Sequence, residues 1–132
     1  MIDVPSQGRA ISVITVNYKS KTLINELERR IKDAPVEYNV VDICGEFVAE
    51  RPETKVVAAP GNIGFGRACN LGVENSDGDV VVFANPDIGL TAEALSRFLA
   101  DCQVQPEHAV WAPLIRDRRG QVETLLKPAW AG

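Results

Sequence analysis

Residues Val80–Asp87 read VVVFANPD, and the last three are the ones whose types and placement suit chemistry. Asn85 and Asp87 bring two side-chain oxygens close together in an N-x-D step, directly after an apolar run from Val80 to Ala84. A short, unbroken run rich in β-branched residues suits a strand buried on both faces, as in a parallel sheet. Pro86 has no N–H to give to a ladder, so the strand stops there. That leaves Asn85 and Asp87 at the carboxyl end of the strand, where open α/β sheets hold their ligands. Oxygen donors in such a place hold a hard cation and the phosphates bound to it. Asn, Pro and Asp are also the commonest turn residues, and a plain turn explains the same three letters.

The elements that must position this step alternate along the chain. Ile11–Val16 is a strand followed by the polar loop Asn17-Tyr18-Lys19-Ser20. A helix begins at Thr22, with Leu23, Ile24, Leu27 and Ile31 on one face and Glu26, Glu28, Arg29, Arg30 and Lys32 on the other. Ala34-Pro35 ends it, and Val36–Ile43 is a second strand, so the opening is a β-α-β unit with a parallel pair. Cys44–Lys55 reads as loop or one poor helical turn, Val56–Ala59 as a third strand, and Arg67–Asn75 as a helix packing through Ala68, Leu71 and Cys69. After the Ser76–Asp79 turn and the fourth strand, Thr91 is a good N-cap for a helix with the apolar stripe Leu95, Phe98, Leu99 and Cys102. Val110–Ala112 reads as a further strand, with Pro113–Ile115 and Val122–Leu126 as a hairpin pair across Asp117–Gly120. The fold class is therefore α/β, a mostly parallel sheet with helices on both faces.

In such a sheet Asn17, Tyr18, Asp42, Asn62, Asn85 and Asp87 all follow strands and share the carboxyl edge. Asp77 and Asp79 precede their strand and fall on the opposite edge, where they read as a solvated turn. The segment Gly61-x-x-Gly64-x-Gly66 leads into a helix N-terminus carrying Arg67, a place where free N–H groups and a guanidinium can meet a phosphate. It is not the G-x-G-x-x-G fingerprint, the first β-α turn NYKSK holds no glycine, and no Walker A pattern is present, which excludes the common dinucleotide and P-loop readings. The same glycines also serve simply to turn the chain into the helix. Tyr18 can stack on a base or pack half-buried; Arg116, Arg118 and Arg119 read as a solvated hairpin tip.

Composition narrows the classes further. The chain has 132 residues, 45% hydrophobic and 24% charged, which fits one globular domain. A net charge of −4 argues against a nucleic-acid partner and a polybasic membrane anchor. With His108 the sole histidine, Ser–His and Cys–His nucleophile systems and His-rich metal sites lose support. Cys44, Cys69 and Cys102 lack C-x-x-C spacing and fit a reducing compartment. The opening MIDVPSQGRA shows no signal-peptide pattern and no run reaches the length of a membrane span, so the expected setting is cytoplasmic.

Taken in order, SVITVNYKS at 12–20, VVD at 40–42, GNIGFGRACNLG at 61–72, DGDVVVFANPD at 77–87 and APLIRDRRG at 112–120 carry a resemblance. The chain is similar to the N-terminal, nucleotide-binding half of inverting family-2 glycosyltransferases of the GT-A fold, in a rhamnosyltransferase-like flavour. The resemblance implies a nucleotide-sugar donor (a UDP- or dTDP-sugar), a glycan or lipid-linked acceptor, and a location that is cytoplasmic or peripheral at the inner face of the membrane. It places Val16, Asn17, Tyr18 and Asp42 at the base and ribose, and Asn62, Gly64, Arg67 and Asn70 along the donor pocket. Asn85-Pro86-Asp87 stands where the family has its D-x-D motif, so Asp87 becomes the expected Mg²⁺ or Mn²⁺ ligand with Asn85 beside it. A cation there would neutralise charge on the departing diphosphate, while a separate carboxylate deprotonates the attacking hydroxyl.

Two departures qualify the resemblance. Asp42-Ile43-Cys44-Gly45 replaces the family's D-N-x-S, losing an Asn and a Ser of the base pocket. Nothing matches the acidic E-D-x-D segment that carries the family's general base, so the expectation is a single domain, residues 1–132, without an acceptor-side half or an assigned catalytic base; Glu123 qualifies by type only. The alternative from another class is a non-catalytic nucleotide-binding or oligomerisation module, a homo-oligomer built on the missing half's packing face. A sugar nucleotidyltransferase would need a G-x-G-T-R-like loop where NYKSK stands.

Overall fold

The structure, a computed structural model, describes residues 11–104 and Arg119. Within that span the elements run β1 (Ile11–Asn17), α1 (Lys21–Ile31), β2 (Glu37–Asp42), β3 (Lys55–Ala58), α2 (Phe65–Glu74), β4 (Val80–Phe83) and α3 (Ala92–Val104). The four strands form one all-parallel sheet in the order β3-β2-β1-β4. The expected strand at 110–112, the hairpin after it, His108, Trp111, Trp130, Arg116, Arg118, Glu123 and the side chain of Cys102 lie outside the described residues, as does the lead-in 1–10.

β1 forms the centre because its sequence can be buried on both faces. Alternation sends Val13 to one side of the sheet and Ile14 and Val16 to the other. On the first side Val13, Tyr38 and Val40 pack with Ile24, Leu27 and Ile31 of α1 and Leu95 and Leu99 of α3. On the second, Ile14, Val16 and Val41 pack with Ala68 of α2. Helices thus cover both faces, two on one and one on the other. α2 sits close because it presents Gly72: a Cβ there would lie 2.7 Å from Ile14 Cγ2 and 3.1 Å from Val41 Cγ2.

Three details depart from the sequence reading. β4 is not buried on both faces; it is paired only to β1 among the described residues, and Phe83 is 54% exposed. Its apolar run reports a strand but not its position in the sheet. α2 begins at Phe65 rather than Arg67, because Gly64, with φ of 87°, makes the turn into the helix and Gly66 is already helical. Glu28, assigned to the polar face of α1, is fully buried. Its carboxyl accepts hydrogen bonds from Asn25 Nδ2 (2.7 Å), the Glu50 N–H (3.2 Å), the Arg51 N–H (3.3 Å) and Thr54 Oγ1 (2.6 Å). The predicted Thr91 cap is present, with Thr91 Oγ1 accepting the Ala94 N–H at 3.1 Å.

The contrast between two glycines of one helix checks the α2–sheet packing. Gly72→Ala should destabilise by about 1–3 kcal/mol, since Ile14 and Val41 must give way. Gly66→Ala, with nothing within 4 Å, should stabilise by up to ~1 kcal/mol through helix propensity. Urea midpoints at constant m-value measure both.

Candidate functional site

The carboxyl edge of the sheet is built around one buried pair. Asn17 and Asp42 end β1 and β2 in register with each other, and Asn17 Nδ2 donates to Asp42 Oδ1 at 3.0 Å. The same Oδ1 accepts the N–H groups of Cys44 and Gly45, each at 3.1 Å, and Oδ2 accepts the Phe47 N–H at 2.8 Å. Burial works to raise the Asp42 carboxyl, but the donors from Phe47, Asn17, Cys44 and Gly45 outweigh it and hold it below its ordinary value of 3.8. Asn17 in turn uses Oδ1 to accept the Ser20 N–H at 3.0 Å, which fixes the turn into α1. Val16 packs beneath α2 with Ile14, Val41, Ile43 and Ala68.

Beyond this pair the chain turns outward. Tyr18 is 50% exposed, with Lys19 Nζ 5.3 Å from its ring centroid. Lys19 takes the left-handed conformation (φ 57°), uncommon for a residue with a Cβ, and its N–H donates to Cys44 Sγ at 3.3 Å. The loops after β1 and β2 are therefore tied to each other.

After β4, the Ala84 N–H donates to the Ile14 carbonyl at 3.0 Å, and the Ile88 N–H donates to the Asn85 carbonyl at 3.2 Å. Asn85–Ile88 is a turn, and both Asn85 and Asp87 are exposed on it. The turn and ligand readings of N-P-D are compatible: the turn carries the two side chains to the carboxyl edge beside β1. Past β3, Asn62 Oδ1 accepts the Gly64 N–H at 3.1 Å, shaping the approach to α2. The first turn of that helix leaves N–H groups without intrahelical partners, and Arg67 makes no salt bridge among the described residues. Arg67 and Asn70 line an open groove of 380 Å³ with Pro60, Ile63, Leu71 and Glu74. That groove follows the flank of α2, and its lining does not include Asn17, Asp42, Asn85 or Asp87.

The family model of glycosyl transferase family 2 matches residues 12–129, nearly the whole chain. The chain belongs to glycosyl transferase family 2. Comparison with curated proteins finds no match. As a family-2 glycosyltransferase domain, it is expected to meet a nucleotide-sugar donor and an acceptor, and its parallel α/β sheet agrees with the GT-A class.

Asp42 keeps the loop after β2 folded through the main-chain N–H groups of Cys44, Gly45 and Phe47, so the side chains at 43 and 45, where the chain departs from D-N-x-S, take no part in that role.

Asp77 and Asp79 lie on the far edge of this glycosyltransferase sheet, as expected from their place before β4. The Asp77 N–H donates to Glu37 Oε1 at 3.0 Å, and the Gly78 N–H donates to Ser12 Oγ at 2.9 Å. Glu37 is pulled upward by burial, but bonds from Ser12, Asp77 and Lys55, with the Lys55 charge, hold it below its usual value. Among the described residues no three His, Cys, Asp or Glu side chains gather as a metal cluster. Asp87 is a hard oxygen donor on an exposed turn, so it fits a divalent ion whose other ligands are phosphate and water oxygens, the arrangement Mg²⁺ favours. The same inventory brings in residues that sequence reasoning missed. Glu28 and Glu37 both accept main-chain N–H groups from other segments, a signal invisible in their own neighbours along the chain.

The depressed Asp42 carboxyl makes a prediction with a definite sign. A group whose folded value lies below its unfolded one contributes stability above the unfolded value and loses it as pH falls through the folded value. Wild-type stability should therefore fall as pH is lowered below about 4. Asp42→Asn should cost about 1–3 kcal/mol at pH 7 and show a shallower acid loss, with Glu37 supplying the remainder. Urea unfolding at stepped pH measures this.

Proposed function

We propose that this family-2 domain binds a nucleoside-diphosphate sugar with Mg²⁺ or Mn²⁺ and serves transfer of the sugar to an acceptor hydroxyl with inversion. The observation that carries the reading is the convergence of three strand ends. On β2, β1 and β4, which are neighbours, stand the Asp42–Asn17 pair, the exposed Tyr18 ring and the exposed Asn85–Asp87 turn. In this reading base and ribose lie against the Tyr18 ring on the edge that the Asn17–Asp42 pair shapes, and the third reaches the diphosphate. Residues 1–132 are read as one donor-binding domain. A UDP- or dTDP-sugar suits the rhamnosyltransferase-like pattern, with a glycan or lipid-linked acceptor in the cytoplasm or at the inner membrane face. Among the described residues no helix is long and apolar enough to cross a membrane.

Chemically, the protein's work on the donor side is positioning and charge. Asp87 would hold the cation, with Asn85 beside it; a bound cation supplies the neutralisation that lets the diphosphate leave. Tyr18 offers an apolar face to the base, and the Arg67 guanidinium with the α2 N-terminus offers positive potential to phosphate oxygens. Proton removal from the acceptor hydroxyl takes a separate carboxylate acting as general base.

Calorimetric titration with UDP, dTDP and GDP in the presence of Mn²⁺ tests the proposal. One of the nucleotides should bind, EDTA should weaken binding, and Asp87→Ala should raise Kd about tenfold or more, equivalent to about 1.4 kcal/mol. Absence of binding by all three, or an Asp87→Ala protein indistinguishable from wild type, sinks the donor-site assignment. Binding without donor hydrolysis or transfer moves the function to a nucleotide-binding module.

A further inference from the structure

Tyr18 stands directly after β1 and is 50% exposed, and Lys19 Nζ lies 5.3 Å from the centroid of its ring. That separation is within the range of cation–π attraction. No carboxylate pairs with Lys19 among the described residues, so the ring is the ammonium's partner there. Consecutive residues of an extended chain point their side chains to opposite sides. Here Lys19 takes the left-handed conformation (φ 57°), and its side chain comes back over that of its neighbour. Glycine takes that conformation freely, whereas a residue with a Cβ rarely does. Three hydrogen bonds hold the loop in it. The Lys19 N–H donates to Sγ of Cys44, in the connector from β2 to β3, at 3.3 Å. The Ser20 N–H donates to Asn17 Oδ1 at 3.0 Å, and Ser20 Oγ donates to the Tyr18 carbonyl at 3.1 Å.

We propose that Lys19 is a positioning residue of the nucleotide site: its ammonium covers one face of the Tyr18 ring and holds the other face ready for the base. The inference rests on the reading of Tyr18 as the surface on which the base stacks. Exposed side chains change rotamer within nanoseconds, and freezing a ring when the ligand arrives is subtracted from affinity. A cation on one face restrains the ring beforehand. It leaves a single face open, and a flat base stacks on such a face. A role confined to the fold would be served better by glycine at position 19, which is unstrained at this φ. The Lys19 side chain takes no part in the three bonds that tie the loop; what it reaches is the ring.

The test measures Kd by calorimetry for the tightest of UDP, dTDP and GDP with Mn²⁺, beside urea midpoints. Lys19→Gln and Lys19→Gly should each weaken binding about two- to fivefold, the worth of an exposed cation–π contact. Lys19→Arg, which keeps the cation, should recover most of that affinity. Lys19→Gly should also raise the urea midpoint, because glycine relieves the left-handed conformation. Affinity and stability then move in opposite directions, which general destabilisation cannot produce. In a Tyr18→Leu background, which keeps apolar bulk without a π face, Lys19→Gln should change Kd no further. An unaltered Kd in Lys19→Gln overturns the positioning role alone. A loss that persists beside Tyr18→Leu assigns the lysine to the diphosphate directly and also overturns it. If wild-type protein binds none of the nucleotides, or Tyr18→Leu binds as tightly as wild type, the reading of the site itself has failed and this proposal fails with it.

Discussion

The arrangement depends first on the buried carboxylate of Asp42. Removing a carboxylate from water is costly unless its lone pairs are met, and at this site they are met entirely by neutral donors: one side-chain amide and three main-chain N–H groups. Those donors come from three parts of the carboxyl edge. Asn17 closes β1 and opens the turn to α1; Cys44 and Gly45 begin the connector; Phe47 drops into the core. The ends of the two central strands and the loops that leave them are thereby one hydrogen-bonded unit, and its geometry decides where Tyr18 is presented.

A second acid, Glu28, repeats the device on the far half of the connector. Neither acid is neutralised by a salt bridge among the described residues; the ion pairs there join partly or well-exposed side chains such as Arg29 with Glu50 and Arg30 with Glu26. Exposed pairs of that kind contribute little, whereas an acceptor serving several buried N–H groups cannot be removed without orphaning all of them. The irregular connector is therefore held by satisfied polar groups more than by apolar burial, and Val48 lies well exposed within it.

The opposite edge of the sheet shows how similar letters come to different ends. Asp77 and Asp79 match a metal-binding pattern as well as Asn85 and Asp87 do, but they precede β4, and the Asp77 N–H joins the Ser12–Glu37–Lys55 network. In a parallel sheet the two edges are chemically distinct because every strand runs the same way. Sequence order relative to the strand was sufficient to separate the two candidates.

Much of this was legible along the chain. Apolar alternation and β-branched runs placed all four described strands, Thr91 marked the cap of α3, and five ordered segments carried the likeness to family-2 glycosyltransferases. These features rest on local periodicity or on short-range order, which a linear reading contains. The burial of Glu28, the internal saturation of Asp42 and the exposure of Phe83 on β4 were decided only in three dimensions. Each depends on which distant segments come to lie against a residue: a glutamate on a helix looks solvated until a connector 22 residues later brings its N–H groups to it.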